Sequence, residues 1–279
     1  MRVVTLPDDL IGIQTTPVMV YDYHVQQEST KQQVNLSMNT FSFLLEGHKE
    51  VFSDIRSTSI SNSEFMVMKA GKCLMTEKFA ATISHYRSIL FFFSSESVIQ
   101  FSRKYSIELP KTISRKTIQA LPYDPFLTSF ARSLPNLKKL SNASRVKVLQ
   151  VKFEELMLYL TDVLGVAFLG SLMADVDDQD FHFQEVIENN KLNKLTLDEL
   201  AFLSNMSLST FKRRFEQQFH TSPSKWFQER RLEYSALLLR NERKRPSDIY
   251  MEIGYDSLTN FIQAFKSKYG KTPKQYQLD

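Results

Sequence analysis

The pattern of hydrophobic and polar positions changes character partway along this chain of 279 residues. From residue 11 to about residue 108, short segments rich in β-branched and aromatic residues alternate with turn-forming clusters such as Glu46-Gly47-His48. The strands that we predict from these segments are residues 18–25, 41–45, 64–68 and 89–93. Many short strands at this spacing predict an antiparallel barrel or sandwich.

Beyond that segment the apolar residues recur at helical spacing. Asp124-Pro125 provides a helix N-cap followed by proline at the first helical position. A longer helix is predicted from Ala143 or Ser144 to Val163, with apolar positions that step by three and four. This helix is apolar around more of its girth than one core contact requires. We therefore predict that this helix contributes to homodimerisation through Leu149, Phe153, Leu156 and Leu160. A core helix packed within one chain is the alternative, and the two roles are compatible.

A short acidic stretch, Asp175-Val176-Asp177-Asp178-Gln179-Asp180, follows these helices. Its turn-prone composition predicts a joint between two domains. We accordingly predict an N-terminal domain at residues 1–174, an acidic linker at 175–182 and a second domain at 183–279.

The last ninety residues contain an internal repeat. An offset of 49 residues relates Leu200 to Ile249 and Asn205 to Gly254, and the offset then becomes 50. The pairs at the larger offset are Phe211 and Phe261, Phe215 and Phe265, Phe219 and Tyr269, Pro223 and Pro273, and Trp226 and Tyr276. The change by one residue falls in a turn, so each copy is predicted to be a helix, a tight turn and a second helix.

Capping residues mark the ends of these helices. Thr196 and Glu199 form a capping box, and Ser207 can cap the helix that continues to about Phe219. In the second copy Gly254 ends the first helix, Asp256 or Ser257 caps the next, and Gly270 follows it. Each copy thus has the form of a helix-turn-helix, whose second helix enters the DNA major groove. A helical bundle with some basic surface is the simpler alternative, which tandem repetition disfavours.

The aromatic spacing indicates which face of each second helix is exposed. In both copies three aromatic residues recur every four positions and form one buried stripe. The stripes are Phe211, Phe215 and Phe219, then Phe261, Phe265 and Tyr269. The positions off the stripes that we predict to contact DNA are Ser209, Thr210, Lys212, Arg213, Thr259, Asn260, Ile262, Gln263 and Lys266.

The charge distribution supports this prediction. The net charge is +4, and from Ser209 onward there are 14 basic and 8 acidic residues. A basic C-terminal third suits a polyanionic partner such as nucleic acid, although so modest an excess needs the motif beside it. With 42% hydrophobic and 24% charged residues the composition is that of a soluble globular protein. The N-terminus has no secretory signal and the apolar runs are too short for a membrane helix, so we expect a cytoplasmic protein.

At these residues the sequence resembles the AraC/XylS family of bacterial transcription regulators, over about residues 183–277. The most specific part is the run Asp248-Ile249-Tyr250-Met251-Glu252-Ile253-Gly254-Tyr255, followed by Phe261, Phe265-Lys266, Tyr269-Gly270-Lys271-Thr272-Pro273 and Tyr276. Tyr250 stands where the family usually has alanine, and Tyr255 where it has phenylalanine. Neither difference removes the helix-turn-helix pattern.

The resemblance implies an α+β protein, with a cupin-like N-terminal barrel or sandwich, dimerisation helices and an all-α module of two helix-turn-helix units. It implies double-stranded DNA as partner, base reading by the positions of Ser209, Lys212 and Arg213, and activation rather than repression. It also implies that the N-terminal domain binds a small effector, dimerises or meets a regulatory protein, and that RNA polymerase is a further partner.

Other chemistry finds little support in the sequence, and we expect no enzyme, cofactor or metal. The five histidines, at positions 24, 48, 85, 182 and 220, lack the spacing that brings two imidazoles to one face. Cys73 has Lys72 beside it but no histidine nearby in sequence, so a buried thiol is favoured over a reactive one. A protein-interaction module remains an alternative to DNA binding, and salt dependence separates the two.

Overall fold

The structure is a computed structural model that describes residues 2–12, 16–53, 57–80, 85–108, 118–173, 179–242 and 244–278. The chain divides into two compact units, Met1–His182 and Phe183–Asp279, called here the N-terminal and the C-terminal unit. The N-terminal unit combines strands and helices, and the C-terminal unit is helical in its described residues. The α+β class predicted from the sequence is confirmed.

The strands of the N-terminal unit form two five-stranded sheets among the described residues. In chain order they are β1 (Val4–Leu6), β2 (Val18–Val25), β3 (Ser29–Leu36), β4 (Asn39–Glu46), β5 (His48–Phe52), β6 (Ser57–Ile60), β7 (Glu64–Met68), β8 (Gly71–Lys78), β9 (Tyr86–Phe93) and β10 (Ile118–Pro122). One sheet has the order β1-β3-β8-β5-β6 and the other β10-β7-β4-β9-β2. The described strand pairs are antiparallel except for β1 with β3.

The four segments that the sequence predicts as strands all lie in the second sheet, as β2, β4, β7 and β9. Strands β4, β7 and β9 are buried along most of their length, on both faces, which explains their dense apolar composition. The strands of the first sheet were not predicted, because they mix polar and apolar residues. Strand β3, for example, reads Ser-Thr-Lys-Gln-Gln-Val-Asn-Leu. These segments form strands because of the neighbouring strands that they pair with, and their own composition does not indicate it.

Helices cover one face of the second sheet. They are α2 (Ser95–Lys104), α3 (Pro125–Ser133), a 3-10 helix (Leu134–Lys139), α4 (Asn142–Leu164) and α5 (Ala167–Met173), while the short α1 (Asp8–Ile11) lies beside β1. The predicted cap of α3 is present, since the amide of Leu127 donates to the side chain of Asp124 at 2.7 Å. Phe153 of α4 contacts the sheet through Phe93, with 5.4 Å between ring centroids.

The position of α4 corrects one expectation. The side chains of Leu149, Phe153, Leu156 and Leu160 are all buried in the core that α4 shares with the second sheet. They pack within a single chain, so they are unavailable to a partner, and of the two roles considered for these residues the structure supports the core role. The exposed apolar residues of α4 lie elsewhere on the helix, at Val146, Val151, Leu158, Val163 and Leu164.

Two further expectations concern the thiol of Cys73 and the length of the apolar helices. The thiol of Cys73 is buried in β8, where it belongs to the core cluster that includes Val34 and Met75. In the part of the chain that the structure describes, no helix is both long and apolar enough to cross a membrane.

A buried ion pair joins two strands inside the N-terminal unit. Lys49 of β5 and Glu77 of β8 are direct cross-strand neighbours, and Nζ of Lys49 lies 3.2 Å from Oε1 of Glu77. Burial on its own lowers the pKa of Lys49, but the neighbouring Tyr86 and Glu77 outweigh it and hold that pKa above its usual value. Lys49 therefore stays charged, and the carboxylate of Glu77 compensates for the burial of that charge.

The C-terminal helices are α6 (Gln179–Asn190), α7 (Leu197–Leu203), α8 (Leu208–Phe219), α9 (Pro223–Asn241), α10 (Pro246–Ile249), α11 (Leu258–Tyr269) and α12 (Pro273–Leu278). Of the predicted acidic linker, residues 175–178 lie outside the described residues. Its last four positions, 179–182, belong to α6 rather than to a linker, so the regular structure begins earlier than the acidic composition suggested.

We predict that Glu77→Gln lowers the free energy of unfolding of the N-terminal unit by about 3–5 kcal/mol, because it leaves the buried Lys49 charge without its counter-ion. The double variant Glu77→Gln with Lys49→Met should recover most of that loss, since it removes both charges. Urea unfolding followed by circular dichroism measures both. A loss below about 1 kcal/mol in the single variant would show that water reaches the lysine.

Candidate nucleic-acid interface

The first helix-turn-helix unit is formed by α7 and α8. The side chain of Thr196 accepts from the amide of Glu199, and the carboxylate of Glu199 accepts from the amide of Thr196. The predicted capping box is therefore present. Ser207 caps α8 by accepting from the amide of Thr210 at 3.2 Å, as the sequence predicted.

The turn between these helices is closed by a recurring pattern of backbone hydrogen bonds. The amide of Met206 donates to the carbonyl of Ala201, and the amide of Asn205 to that of Phe202. Asn205 has a φ of +58°, in the left-handed region. This is the Schellman arrangement, in which one left-handed residue ends a helix and reverses the chain.

The second helix-turn-helix unit repeats the arrangement 49 residues later. The amide of Tyr255 donates to the carbonyl of Tyr250, the amide of Gly254 to that of Met251, and Gly254 has a φ of +85°. The regular helix α10 ends at Ile249, earlier than predicted, but the amide of Ile253 still donates to the carbonyl of Ile249 at 3.0 Å. Ser257 caps α11, and Gly270 ends it in the left-handed region.

Aromatic packing fixes the rotation of each second helix. Phe215 and Trp226 have ring centroids 5.7 Å apart, and Phe219 and Trp226 5.3 Å. The equivalent distances in the second unit are 5.3 Å from Phe265 to Tyr276 and 5.2 Å from Tyr269 to Tyr276. The two helix-turn-helix units thus hold α8 and α11 by the same contacts, with the stripe facing inward.

The positions off the stripe face outward as predicted. Seven of the nine predicted contact residues are exposed, while Thr210 and Ile262 are partly buried. On α8 the spacing of Ser209, Lys212 and Arg213 places them on one face. On α11 the corresponding face consists of Thr259, Ile262, Gln263 and Lys266.

The structure adds a local role for two of these residues. The hydroxyl of Ser207 donates to Oγ1 of Thr210 at 2.9 Å and lies 3.0 Å from Oγ of Ser209. Thr210 is thus part of the cap of α8, with its backbone amide and hydroxyl both bonded to Ser207. Its side chain would have to leave the cap to reach a base.

The basic residues of the outward faces form no salt bridge with another described residue of the chain. Among the described residues, Lys212, Arg213 and Lys266 have no acidic partner at salt-bridge distance. Lys268 differs, because its Nζ lies 3.0 Å from Oε1 of Glu233 on α9. Burial raises the pKa of Glu233, but Lys268 and Arg230 outweigh that effect and hold the pKa below its usual value. Lys268 thus serves the packing of α11 on α9, whereas Lys266 is available to an external anion.

One further cation was not among the predicted contact residues. Lys225 is exposed at the start of α9, directly after α8, and it too lacks an acidic partner among the described residues. Because it lies off both second helices, the aromatic stripes give no signal for it. Its position beside the end of α8 is the feature that could have identified it.

Two family models match separate parts of the chain. A helix-turn-helix domain matches residues 200–278, and the ExsA N-terminal regulatory domain matches residues 39–163. The first match covers α8 to α12 with most of α7 and both turns, and the second covers β4 to β10 together with α2, α3 and most of α4.

Relatives with described roles match part of the chain. The virulence regulon transcriptional activator VirF of Yersinia enterocolitica is 35% identical over 130 residues, which cover 46% of this chain and 48% of that protein. The HTH-type transcriptional regulator ExsA of Pseudomonas aeruginosa is 28% identical over 158 residues, covering 57% and 56%. The chain thus spans about half the length of the curated relatives it matches. A crystal structure of ToxT from Vibrio cholerae aligns over 94% of this chain and 97% of that one, with a TM-score of 0.38 and 13% identity.

The C-terminal helices thus match a helix-turn-helix domain, the preceding part of the chain matches a regulatory domain, and the relatives named above are transcription regulators. Both matched parts of the chain are similar to regulators of the AraC family. The resemblance drawn from the sequence is confirmed.

Proposed function

We propose that this chain is a sequence-specific activator of transcription that reads double-stranded DNA with α8 and α11. The observation that carries the proposal is the pair of capped, aromatic-anchored helices whose outward faces include cations without an internal partner in the described part of the chain. Activation is supported by relatives named as transcriptional activators. The two helices would enter successive major grooves, about one helical turn or ~34 Å apart.

The two helices offer different chemistry for base reading. Arg213 on α8 can place its guanidinium fork on O6 and N7 of guanine, and Lys212 can reach a base edge or a phosphate. On α11 the equivalent positions are Ile262 and Gln263, which suit a thymine methyl group and an adenine edge. One half of the site should therefore be recognised mainly by charge, and the other by neutral contacts.

The N-terminal unit would supply regulation. Its match to a regulatory domain supports a role in sensing a small molecule or a protein effector, or in assembly. RNA polymerase would be the partner that responds to the bound activator, in the cytoplasm. These assignments rest on the similarity to AraC-family regulators.

A second copy of this chain is the partner for which the structure offers a specific surface. On α4, Val151 and Leu158 are 64% and 40% exposed, and they are seven residues apart, so they lie on the face opposite the core. The exposed Lys147 and Asp162 flank them on that face. The pairs Val151 with Leu158 and Lys147 with Asp162 are both centred on the same point of α4, between residues 154 and 155. An antiparallel two-fold pairing therefore matches Val151 with Leu158 of the other copy and Lys147 with Asp162.

We predict that Arg213→Ala costs about 1–3 kcal/mol of binding free energy and relaxes base preference in one half of the site. Selection of DNA from a random library by the full-length chain provides the site, and binding to site variants at two salt concentrations provides the measurement. Binding should weaken steeply with salt, as counterions are released. A flat salt response would favour a protein partner for the helix-turn-helix units.

We predict that Gln263→Ala relaxes preference in the other half of the site with little change in the salt slope, because glutamine neutralises no phosphate. Lys266→Ala on the same helix is the matched control, and it should lower the slope by about one if Lys266 contacts the backbone. If Arg213→Ala and Gln263→Ala weaken every sequence equally, these residues contact only the backbone and the base-reading assignment is wrong.

We predict that Val151→Glu with Leu158→Glu shifts the full-length chain from dimer to monomer in sedimentation, because like charges would face each other across the two-fold axis. Lys147→Glu should weaken the dimer, and adding Asp162→Lys should restore it by reversing both ends of the charge pair. A wild-type chain that sediments as a monomer, or no recovery in the reversed pair, would contradict this pairing.

A further inference from the structure

The two helix-turn-helix units differ at one equivalent position in their turns. Asn205 and Gly254 both adopt the left-handed conformation with the same backbone hydrogen bonds. Asn205 is exposed, and asparagine accepts this conformation at little cost. The backbone alone therefore does not require glycine at this position. Gly254 is partly buried, so a second constraint acts on it.

That constraint is the close approach of two other elements. A Cβ atom at Gly254 would lie 3.1 Å from Nη1 of Arg231 and 3.5 Å from Cγ of Lys194. Arg231 lies in the middle of α9, the helix shared by both helix-turn-helix units, and Lys194 shortly precedes Thr196, the N-cap of α7. Three segments thus meet at Gly254, in the turn of the second helix-turn-helix unit: the segment that leads into α7 of the first unit, the shared helix α9, and the turn itself.

This meeting point is called here the Gly254 junction, and Arg231 contributes to it by steric contact. Its Nε is buried and has no hydrogen-bond partner in the described part of the chain. One turn earlier on α9, Nε2 of Gln228 donates to the hydroxyl of Tyr255 at 3.4 Å. The same face of α9 therefore contacts both Gly254 and the residue after it.

The junction continues into the second reading helix. The ring of Tyr255 packs on Phe261 of α11, with 5.6 Å between centroids, and Phe261 is fully buried. A displacement of the turn at Gly254 would consequently reorient α11. Close-packed interiors transmit such displacements because they contain little free volume.

We propose that Arg231 and Gly254 are positioning residues that set the orientation of α11 relative to the first helix-turn-helix unit, and hence the spacing of the two DNA half-sites. This inference rests on the proposed function. It assigns neither residue a contact with DNA. Two rigidly related helices can enter successive grooves only at one separation, so the junction would make binding sensitive to the number of base pairs between the halves.

The test uses the full-length chain and its selected DNA site, with three kinds of probe: the native site, sites with one base pair added or removed between the halves, and sites with one half scrambled. Gly254→Asn introduces at the second turn the residue that the first turn already carries. Asn205→Gly is the reciprocal control, and Arg231→Met removes the guanidinium while retaining much of the side-chain length.

Gly254→Asn and Arg231→Met should each weaken binding to the native site about tenfold and change binding to the half-scrambled probes by less than about twofold. Both should reduce the preference for native spacing over the altered spacings. Asn205→Gly should keep the wild-type spacing preference. If Gly254→Asn alone fails to fold, its combination with Arg231→Ala, which removes the group nearest to the new side chain, gives the same readout.

Several results would overturn the inference. An unchanged spacing preference in Arg231→Met and in the folded Gly254 variant excludes a positioning role. Equal loss on every probe together with a lower melting temperature would indicate a role in folding alone, and a reduced salt slope in Arg231→Met would indicate a phosphate contact. A wild-type chain that selects no DNA would instead refute the proposed function, so the two failures are distinguishable.

Discussion

The packing of aromatic rings between each second helix and the helix that follows it is the constraint on which the proposed DNA-reading surface depends. Phe215 on Trp226 and Phe265 on Tyr276 meet in edge-to-face geometry at closely similar distances. Three rings at four-residue intervals occupy one full face of α8 or α11, so rotation of either helix would expose large apolar areas. The residues off that stripe are outward-facing as a consequence, whatever their own chemistry.

The buried aromatic rings and the outward-facing residues lie on opposite sides of each second helix. The outward residues can therefore differ between the two helix-turn-helix units while the buried positions stay aromatic. The rings and the caps recur, because both units need the same geometry. The outward positions differ in charge: Lys212 and Arg213 on α8 correspond to Ile262 and Gln263 on α11. One scaffold thereby presents two chemically different surfaces, as the proposed recognition of an asymmetric site requires.

The N-terminal unit uses α4 in a comparable way. One face, including Phe153, completes the core against the second sheet, and the opposite face carries Val151 and Leu158 in solvent. A helix that is apolar around most of its girth can thus serve a core and still present a surface to a partner. The breadth of the apolar pattern is visible in the sequence, but the assignment of individual residues to core or surface depends on the sheet that covers them.

The sequence by itself determined the local features of this protein: the capping box at Thr196, the Ser207 cap of α8, the glycine that ends the first helix of the second unit, the aromatic stripes and the dense strands of the second sheet. Each depends on residues a few positions apart, so the information is contained in a short window. The tertiary structure alone decided the pairing of Lys49 with Glu77, the strand positions of β3 and β8, the buried face of α4 and the junction over Gly254. Those features join residues that are distant along the chain, and their partners are set by strand register and helix packing, which no local pattern encodes.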